Sequence, residues 1–267
     1  MAYDLASLQC KKTLRPPRIV LLGVEKIGKS TFAAGAPNPV FLPVVGEEGL
    51  DDLDVLSWEP VEAFGQVREA LHALYDGKHD YKTIVIDSAT TLEPILWNHT
   101  RLRCPTKEGT VPDSIEKVHG GYSKGYMEAL IEWNELLCSL DTLRSQRGMA
   151  VIIIGHVQVR RFDDPTGLSY DQYQFDLNAK AANKLFRWAD SILFCNTKVA
   201  VKKEDVGFNK AKQKGVDIDA GERFVYTQKR ASHPGGGRGV YGRLPYELPL
   251  KWAAFEGAIS RTIAEEK

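Results

Sequence analysis

The residues best suited to chemistry form one contiguous segment, Gly23-Val24-Glu25-Lys26-Ile27-Gly28-Lys29-Ser30. Its spacing, G-x-x-x-x-G-K-[ST], is typical of a loop that wraps the phosphates of a nucleoside triphosphate. The glycines let backbone N–H groups point at phosphate oxygens. We expect Lys29 to reach the β- and γ-phosphates and to serve catalysis there, Ser30 to ligate Mg²⁺, and Thr31 to bind the α-phosphate. The alternative is a glycine-rich strand-to-helix turn without a ligand.

A nucleotide site also requires carboxylates to hold the metal ion and to activate water, and candidates follow two apolar stretches. Asp87 ends the run Thr83-Ile84-Val85-Ile86, which suits a metal-holding carboxylate at a strand end, although an aspartate there can also cap a helix. Glu47 and Glu48 follow the apolar stretch at 40–45, and either could orient or deprotonate the attacking water. The alternative for both glutamates is a solvated acidic turn.

A further polar group follows the continuous apolar run at 149–154. It consists of Gly155-His156-Val157-Gln158, and side chains at that strand end, His156 and Gln158, are candidates for sensing the γ-phosphate. A single histidine in such a position is equally compatible with a hydrogen-bonded core residue.

The elements that must position these residues alternate along the chain. Apolar runs predict strands at 18–22, 40–45, 81–87, 149–154 and 191–195, and helical spacing predicts helices at 30–34, 61–74, 126–144 and 179–189. This order predicts an α/β fold with a mainly parallel central sheet and helices on both faces. We expect an N-terminal segment at 1–17, a core at 18–198, and a C-terminal β-hairpin and helix at 199–267 packed on the core. The polar stretches 101–125 and 158–178 are expected to be long loops.

Composition limits the classes of function. Lys plus Arg and Asp plus Glu are both 35, so the net charge of zero provides no general attraction for nucleic acid. The four cysteines lie far apart without a C-x-x-C pair, which argues against a zinc site and against a disulfide framework. No stretch approaches the roughly 20 apolar residues that span a bilayer. We therefore expect a soluble cytoplasmic protein with no membrane partner.

Several segments together resemble bacteriophage nucleotide-binding proteins of the RecA-like AAA class. The resemblance extends over about 18–259, and its main segments are 23–30, 47–50, 81–88, 121–126 and 147–156, with further matches at 203–210 and 248–252. Members of that family look like ATP-dependent single-strand annealing proteins. The resemblance implies a RecA-like P-loop core, ATP and Mg²⁺ as cofactors, and Glu47 as the catalytic base. The chain departs from the family pattern in having Gly46, where members often have threonine.

The resemblance also implies partners: single-stranded DNA, further copies of the chain in a ring or filament, a single-strand DNA-binding protein, and the host cytoplasm as location. In such cores the two long polar loops face the DNA, and they carry the cations and rings that a single strand requires. The candidates are Lys117, Tyr122, Lys124, Arg160, Arg161 and Tyr173. Solvated surface loops are the alternative, because four aspartates offset the charge of the second loop. Lys229 or Arg230 could reach the γ-phosphate of a neighbouring subunit, or form an exposed basic turn.

Three functions are therefore compatible with the sequence. The first is an ATPase that acts on single-stranded DNA in recombination or annealing. The second is a binding module in which the nucleotide orders a partner surface with negligible turnover. The third is a P-loop kinase for a small molecule, although no arginine-rich lid is evident beyond Arg160 and Arg161.

Overall fold

A computed structural model describes residues 14–47, 49–165, 167–205, 211–217 and 221–265. Most of the predicted N-terminal segment, the alternative base Glu48, and residues 206–210 of a family-like segment lie outside these ranges. The strands are β1 Arg18–Gly23, β2 Pro39–Pro43, β3 Leu56–Ser57, β4 Thr83–Asp87, β5 Ala150–Phe162, β6 Tyr170–Phe175, β7 Ser191–Thr197, β8 Val199–Asp205, β9 Ala211–Asp217, β10 Arg223–Tyr226, β11 Gly236–Gly237 and β12 Glu247–Pro249. The helices are α1 Lys29–Ala34, α2 Phe64–Asp76, α3 Ala89–Arg103, α4 Lys124–Glu128, α5 Leu130–Gln146, α6 Ala179–Trp188 and α7 Trp252–Ala264, with 3-10 segments at Ile115–Gly120 and Gly239–Arg243.

The central sheet has the strand order β12-β10-β7-β1-β5-β4-β2-β3. Every pair from β7 to β3 is parallel, whereas β10 runs antiparallel to β7 and to β12. The predicted α/β fold with a mainly parallel sheet is therefore confirmed. Parallel strands end at one shared edge, and this edge collects the residues that follow β1, β2 and β4 together with His156 of β5, where the pairing of β5 with β1 ends.

Both faces of the sheet are covered by helices. Successive residues of a strand point to opposite faces, so each central strand contributes to both layers of packing. Alternate residues of β1, such as Val20 and Leu22, pack against apolar residues of α2, α3, α5 and α6. Ile19 and Leu21 pack on the other side, against residues of α1 and α7. Strands buried on both faces appear in sequence as continuous apolar runs, which is why they were predictable.

The prediction of a long loop at 158–178 is wrong. β5 continues to Phe162 and pairs with β6 as an antiparallel ribbon, with Val157 opposite Phe175 and Phe162 opposite Tyr170. Polar and charged side chains occupy much of this ribbon, so it lacks the apolar run by which strands are recognised. The loop predicted at 101–125 is also only partly irregular, since α3 extends to Arg103, a 3-10 segment lies within it, and α4 begins at Lys124.

The C-terminal third contributes to two sheets. β8 and β9 form a separate two-stranded antiparallel hairpin, while β10 and β12 extend the central sheet beyond β7. Helix α7 packs on the sheet face that also contacts α1. The domain limits at 17 and 198 stay a prediction. Among the described residues, no helix has both the length and the apolar character to cross a bilayer.

Candidate functional site

The loop between β1 and α1 requires its two glycines. Gly28 has φ of 104°, a left-handed conformation that residues with a β-carbon rarely adopt. At Gly23, a β-carbon would stand 2.7 Å from the carbonyl oxygen of Cys195 on the neighbouring strand. Any side chain at either position would strain or displace the loop. The spacing that suggested a phosphate-binding loop therefore coincides with a geometric requirement.

Lys29 is the buried cation of this loop. Its Nζ donates to the carbonyl oxygens of Gly23 at 3.1 Å and Val24 at 2.9 Å, and lies 3.4 Å from Nδ1 of His156. Burial lowers the pKa of Lys29, and this effect is only partly offset by the carboxylates of Asp87 and Glu47. The folded protein thus holds a poorly solvated ammonium group, which an anion at the loop would stabilise.

Ser30 and Asp87 form the second part of the site. The hydroxyl of Ser30 donates to Oδ2 of Asp87 at 2.6 Å, and burial raises the pKa of Asp87 although this hydrogen bond opposes the shift. Mg²⁺ binds oxygen ligands at about 2.0–2.1 Å in an octahedron, which places neighbouring ligands about 2.9 Å apart. Both the donor atoms and their separation therefore fit a shared Mg²⁺ ion.

Glu47 is held at the same edge of the sheet by three side chains. Its Oε1 accepts from Ser88 Oγ at 2.5 Å and from Thr91 Oγ1 at 3.3 Å, and it lies 3.0 Å from His156 Nε2. Burial would raise the pKa of Glu47, but the hydrogen bonds from His156 and Ser88 outweigh it and lower the pKa below the usual value. The side chain is consequently an oriented carboxylate at neutral pH.

His156 links the carboxylate to the lysine. It pairs with Gly23 in the register between β1 and β5, and its two ring nitrogens face Glu47 and Lys29 respectively. Gln158 is placed differently, because its amide donates to Asp176 and it does not contact Lys29 or Glu47. Of the two predicted γ-phosphate sensors, His156 is the one that the structure brings to the lysine.

These groups share one cavity of about 850 Å³ at the carboxyl edge of the sheet. This volume is in the range of small-molecule sites. The phosphate-type loop, the Ser30–Asp87 pair, and Glu47 with His156 all contribute to its walls. The lining residues are Glu25, Lys26, Gly28, Lys29, Ser30, Thr31, Gly46, Glu47, Gly49, Asp52, Leu53, Asp87, Thr90, Thr91, His156, Asp176 and Arg223. Val24 and Ile27 belong to the loop, and Ile27 is buried in the core beneath it.

Arg223 also lines the cavity, although nothing in the sequence around it indicates a nucleotide site. Because β10 is antiparallel to β7, its first residue lies at the edge where the parallel strands end. The Nη1 atom of Arg223 is 3.2 Å from the point where a β-carbon on residue 28 would stand. The side chain is exposed and has no hydrogen bond or ion pair within the described part of the chain. No local pattern could have indicated it, since only the sheet order brings it to the loop.

The residues predicted to contact DNA fall into two groups outside this cavity. Tyr122 is 94% exposed, Lys117 pairs with Asp113 at 2.6 Å, and Lys124 donates to the carbonyl of His119. On the β5–β6 ribbon, Arg160 and Arg161 are exposed, and Arg161 lies 3.7 Å from Asp163.

Tyr173 differs from Tyr122, because it is only partly accessible and its ring packs 5.2 Å from that of Phe194. Arg160 and Tyr126, which follows the first group, line one cavity of about 460 Å³. Of the residues predicted to contact DNA, Arg160 is the one that lines this cavity.

The predicted intersubunit cations lie beyond β10, away from the phosphate loop. The Arg230 guanidinium stacks 4.1 Å from the ring of Tyr246, and Lys229 is exposed beside the β5–β6 ribbon. Neither side chain lines the nucleotide cavity of its own chain, so a contact with the nucleotide of a neighbouring subunit stays a prediction.

Comparison with known families adds one finding. A family model described as an AAA domain matches residues 15–239, which include the whole parallel part of the sheet and the cavity. No curated protein sequence matches the chain significantly.

Proposed function

This chain belongs to the AAA domain family, and on that premise we propose that it is a Mg²⁺-dependent ATPase acting on single-stranded DNA. One observation supports the nucleotide part most strongly. The phosphate-type loop, the Ser30–Asp87 pair and the Glu47–His156 pair line a single cavity, although the sequence separates them by up to 133 residues (23 to 156).

The roles follow from the side chains. Backbone N–H groups of the loop and Lys29 bind the phosphates, and Ser30 and Asp87 hold the ion. Mg²⁺, when bound, neutralises charge that develops on the transferred phosphoryl group. Glu47 accepts a hydrogen bond from the attacking water and orients it. Because the pKa of Glu47 is lowered, the side chain is ionised at neutral pH and can accept a proton from that water as general base.

His156 gives this site a way to report the nucleotide state. Its ring lies between Lys29 and Glu47, so a γ-phosphate drawn to Lys29 changes the charge that one ring nitrogen faces. The strand that carries His156 continues into the β5–β6 ribbon with Arg160 and Arg161. We propose that this continuous strand couples nucleotide binding to the DNA-contacting ribbon.

The DNA part of the proposal rests on exposed cations and one exposed ring. The Lys117–Asp113 pair does not oppose it, because both side chains are exposed and solvent screens such surface pairs, so Lys117 can exchange Asp113 for a phosphate. We further propose that the process is annealing or recombination. Copies of the chain would assemble into a ring or filament with Lys229 or Arg230 at the subunit contact, and a single-strand DNA-binding protein would be a partner.

The test is the ATPase rate with and without single-stranded DNA at several salt concentrations. We expect stimulation in the wild type, and a loss of stimulation in the double variant Lys117→Ala/Lys124→Ala with the basal rate retained. The control Lys78→Ala/Lys82→Ala removes two exposed cations near the opposite edge of the sheet and should behave as wild type. The slope of the logarithm of DNA affinity against the logarithm of salt concentration should become shallower by about 0.7 for each phosphate contact that is lost.

The alternatives give different results in the same assay. Tight ATP binding with no turnover and no DNA effect would favour the nucleotide-gated binding module. Turnover that requires a small-molecule acceptor would favour the kinase. Unchanged DNA stimulation and salt slope in the lysine variant would remove this segment from the DNA site.

Arg223 provides a prediction about the nucleotide site itself. A guanidinium next to the phosphate loop, with no partner among the residues that the structure describes, is suited to a charge-assisted hydrogen bond with a phosphate oxygen. Such a bond contributes about 1.5–3 kcal/mol, so Arg223→Ala should weaken ATP binding roughly 10- to 100-fold. Titration with a fluorescent ATP analogue measures it, with Arg261→Ala as the matched control on α7. Equal affinities of Arg223→Ala and wild type would exclude this contact.

A further inference from the structure

Three side chains of metal-ligand type converge between α3 and α5, away from the nucleotide cavity. They are Cys104, His119 and Glu128, and their ligand atoms all lie within 4.8 Å of one another. Cys104 follows α3, His119 lies in the 3-10 segment, and Glu128 ends α4. We propose that these three residues bind a divalent transition-metal ion of the zinc type. The proposal does not depend on the ATPase function.

The distances suit a small tetrahedral ion. His119 Nε2 and Glu128 Oε1 are 3.6 Å apart, close to the roughly 3.4 Å that separates two ligands bound to Zn²⁺ at about 2.0–2.1 Å. Cys104 is buried in a small apolar cluster with Trp97 and Tyr126. His119 and Glu128 remain partly exposed, so a water molecule can complete the coordination from the solvent side. Three protein ligands with an open fourth position are an established arrangement for zinc.

Neighbouring groups orient two of the ligands. Arg103 donates to Oε2 of Glu128 at 3.3 Å and thereby leaves Oε1 directed at His119, while Lys124 donates to the carbonyl oxygen of His119. Contacts of this kind tune metal ligands in proteins. Arg103 also donates to Glu132 at 2.8 Å. Burial raises the pKa of the Cys104 thiol, so a bound ion would have to displace the thiol proton to gain this ligand.

The backbone at His119 supports the same assignment. Its φ is 54° and its ψ is 31°, a left-handed conformation that is uncommon for a residue with a β-carbon. A bound ion would connect Cys104 to Glu128 and so close the stretch 104–128 into a loop. It would thereby hold in place Lys117 and Tyr122, which are exposed within that stretch.

The ion is tested by titrating the reduced full-length protein with Co²⁺, whose thiolate complexes absorb in the near ultraviolet. We expect a thiolate–cobalt band at one ion per chain, displaced by Zn²⁺. The control Cys138→Ser, which removes an exposed cysteine of α5, should retain the band. Cys104→Ser should abolish it, and Glu128→Gln should raise the dissociation constant at least tenfold.

The proposal is overturned if folded wild-type protein shows no band, if the band survives in Cys104→Ser, or if Cys138→Ser removes it. Should Cys104→Ser not fold, Glu128→Gln decides the question, because Glu128 lies at the surface and the amide keeps its shape. Co²⁺ affinity unchanged in folded Glu128→Gln would then identify an adventitious ion only.

Discussion

Replacing Lys29 with alanine is expected to reduce ATP turnover by at least 10²-fold and to weaken ATP binding. The lysine is a buried cation of the phosphate loop, and preorganised charges aimed at a reacting group contribute about 10²–10³-fold each. Steady-state phosphate release and titration with a fluorescent ATP analogue measure the two effects. The variant Lys78→Ala, which removes an exposed lysine outside the cavity, is the matched control.

The folded state should survive this change. Burial lowers the pKa of Lys29 in the folded protein below its value in the unfolded chain. The charged lysine therefore reduces the free energy of unfolding at every pH below the pKa of the unfolded chain. Alanine removes that cost and loses the hydrogen bonds to two loop carbonyls, so the melting temperature should change by only a few degrees. Wild-type ATPase activity in a folded Lys29→Ala protein would refute the phosphate-loop assignment.

Glu47→Gln is expected to preserve nucleotide affinity and to lower the ATPase rate by about 10²–10⁴-fold, the usual contribution of a general base. Glutamine keeps the shape and can still accept from Ser88, but it carries no negative charge toward the attacking water. Because the pKa of Glu47 is lowered, its ionisation is complete at neutral pH. Protonation of Glu47 should therefore not limit the wild-type rate until the pH falls below the ordinary glutamate range, near 4.3.

The control for Glu47 is Asp52→Asn, which removes one negative charge from the wall of the same cavity. A similar loss of rate in both variants would indicate a general electrostatic effect rather than a specific role. Glu48→Gln addresses the neighbouring residue, which the residue pattern alone leaves as an alternative to Glu47. If Glu48→Gln lost turnover and Glu47→Gln did not, the base would be Glu48.

Much of the fold was predictable because its signals are local. The buried strands of the parallel sheet are continuous apolar runs, and α2 carries Phe64, Val67, Leu71 and Leu74 at the spacing of a helix face. The β5–β6 ribbon was not predictable in this way. Its pairs, such as Arg160 with Gln172 and Arg161 with Asp171, are polar, so its pattern resembles that of a surface loop.

The sequence by itself determined the phosphate-type loop, because its eight residues are contiguous and the left-handed turn at Gly28 requires glycine. The candidates Asp87, Glu47 and His156 were also identifiable, since each follows an apolar run. Only the tertiary structure decided their contacts: Ser88 and His156 hold Glu47, Gln158 instead pairs with Asp176, and Arg223 borders the loop. The physical reason is the strand order. Hydrogen bonding between β1, β5 and β4 brings strand ends together that are remote in the chain, and an antiparallel β10 places its first residue at that edge.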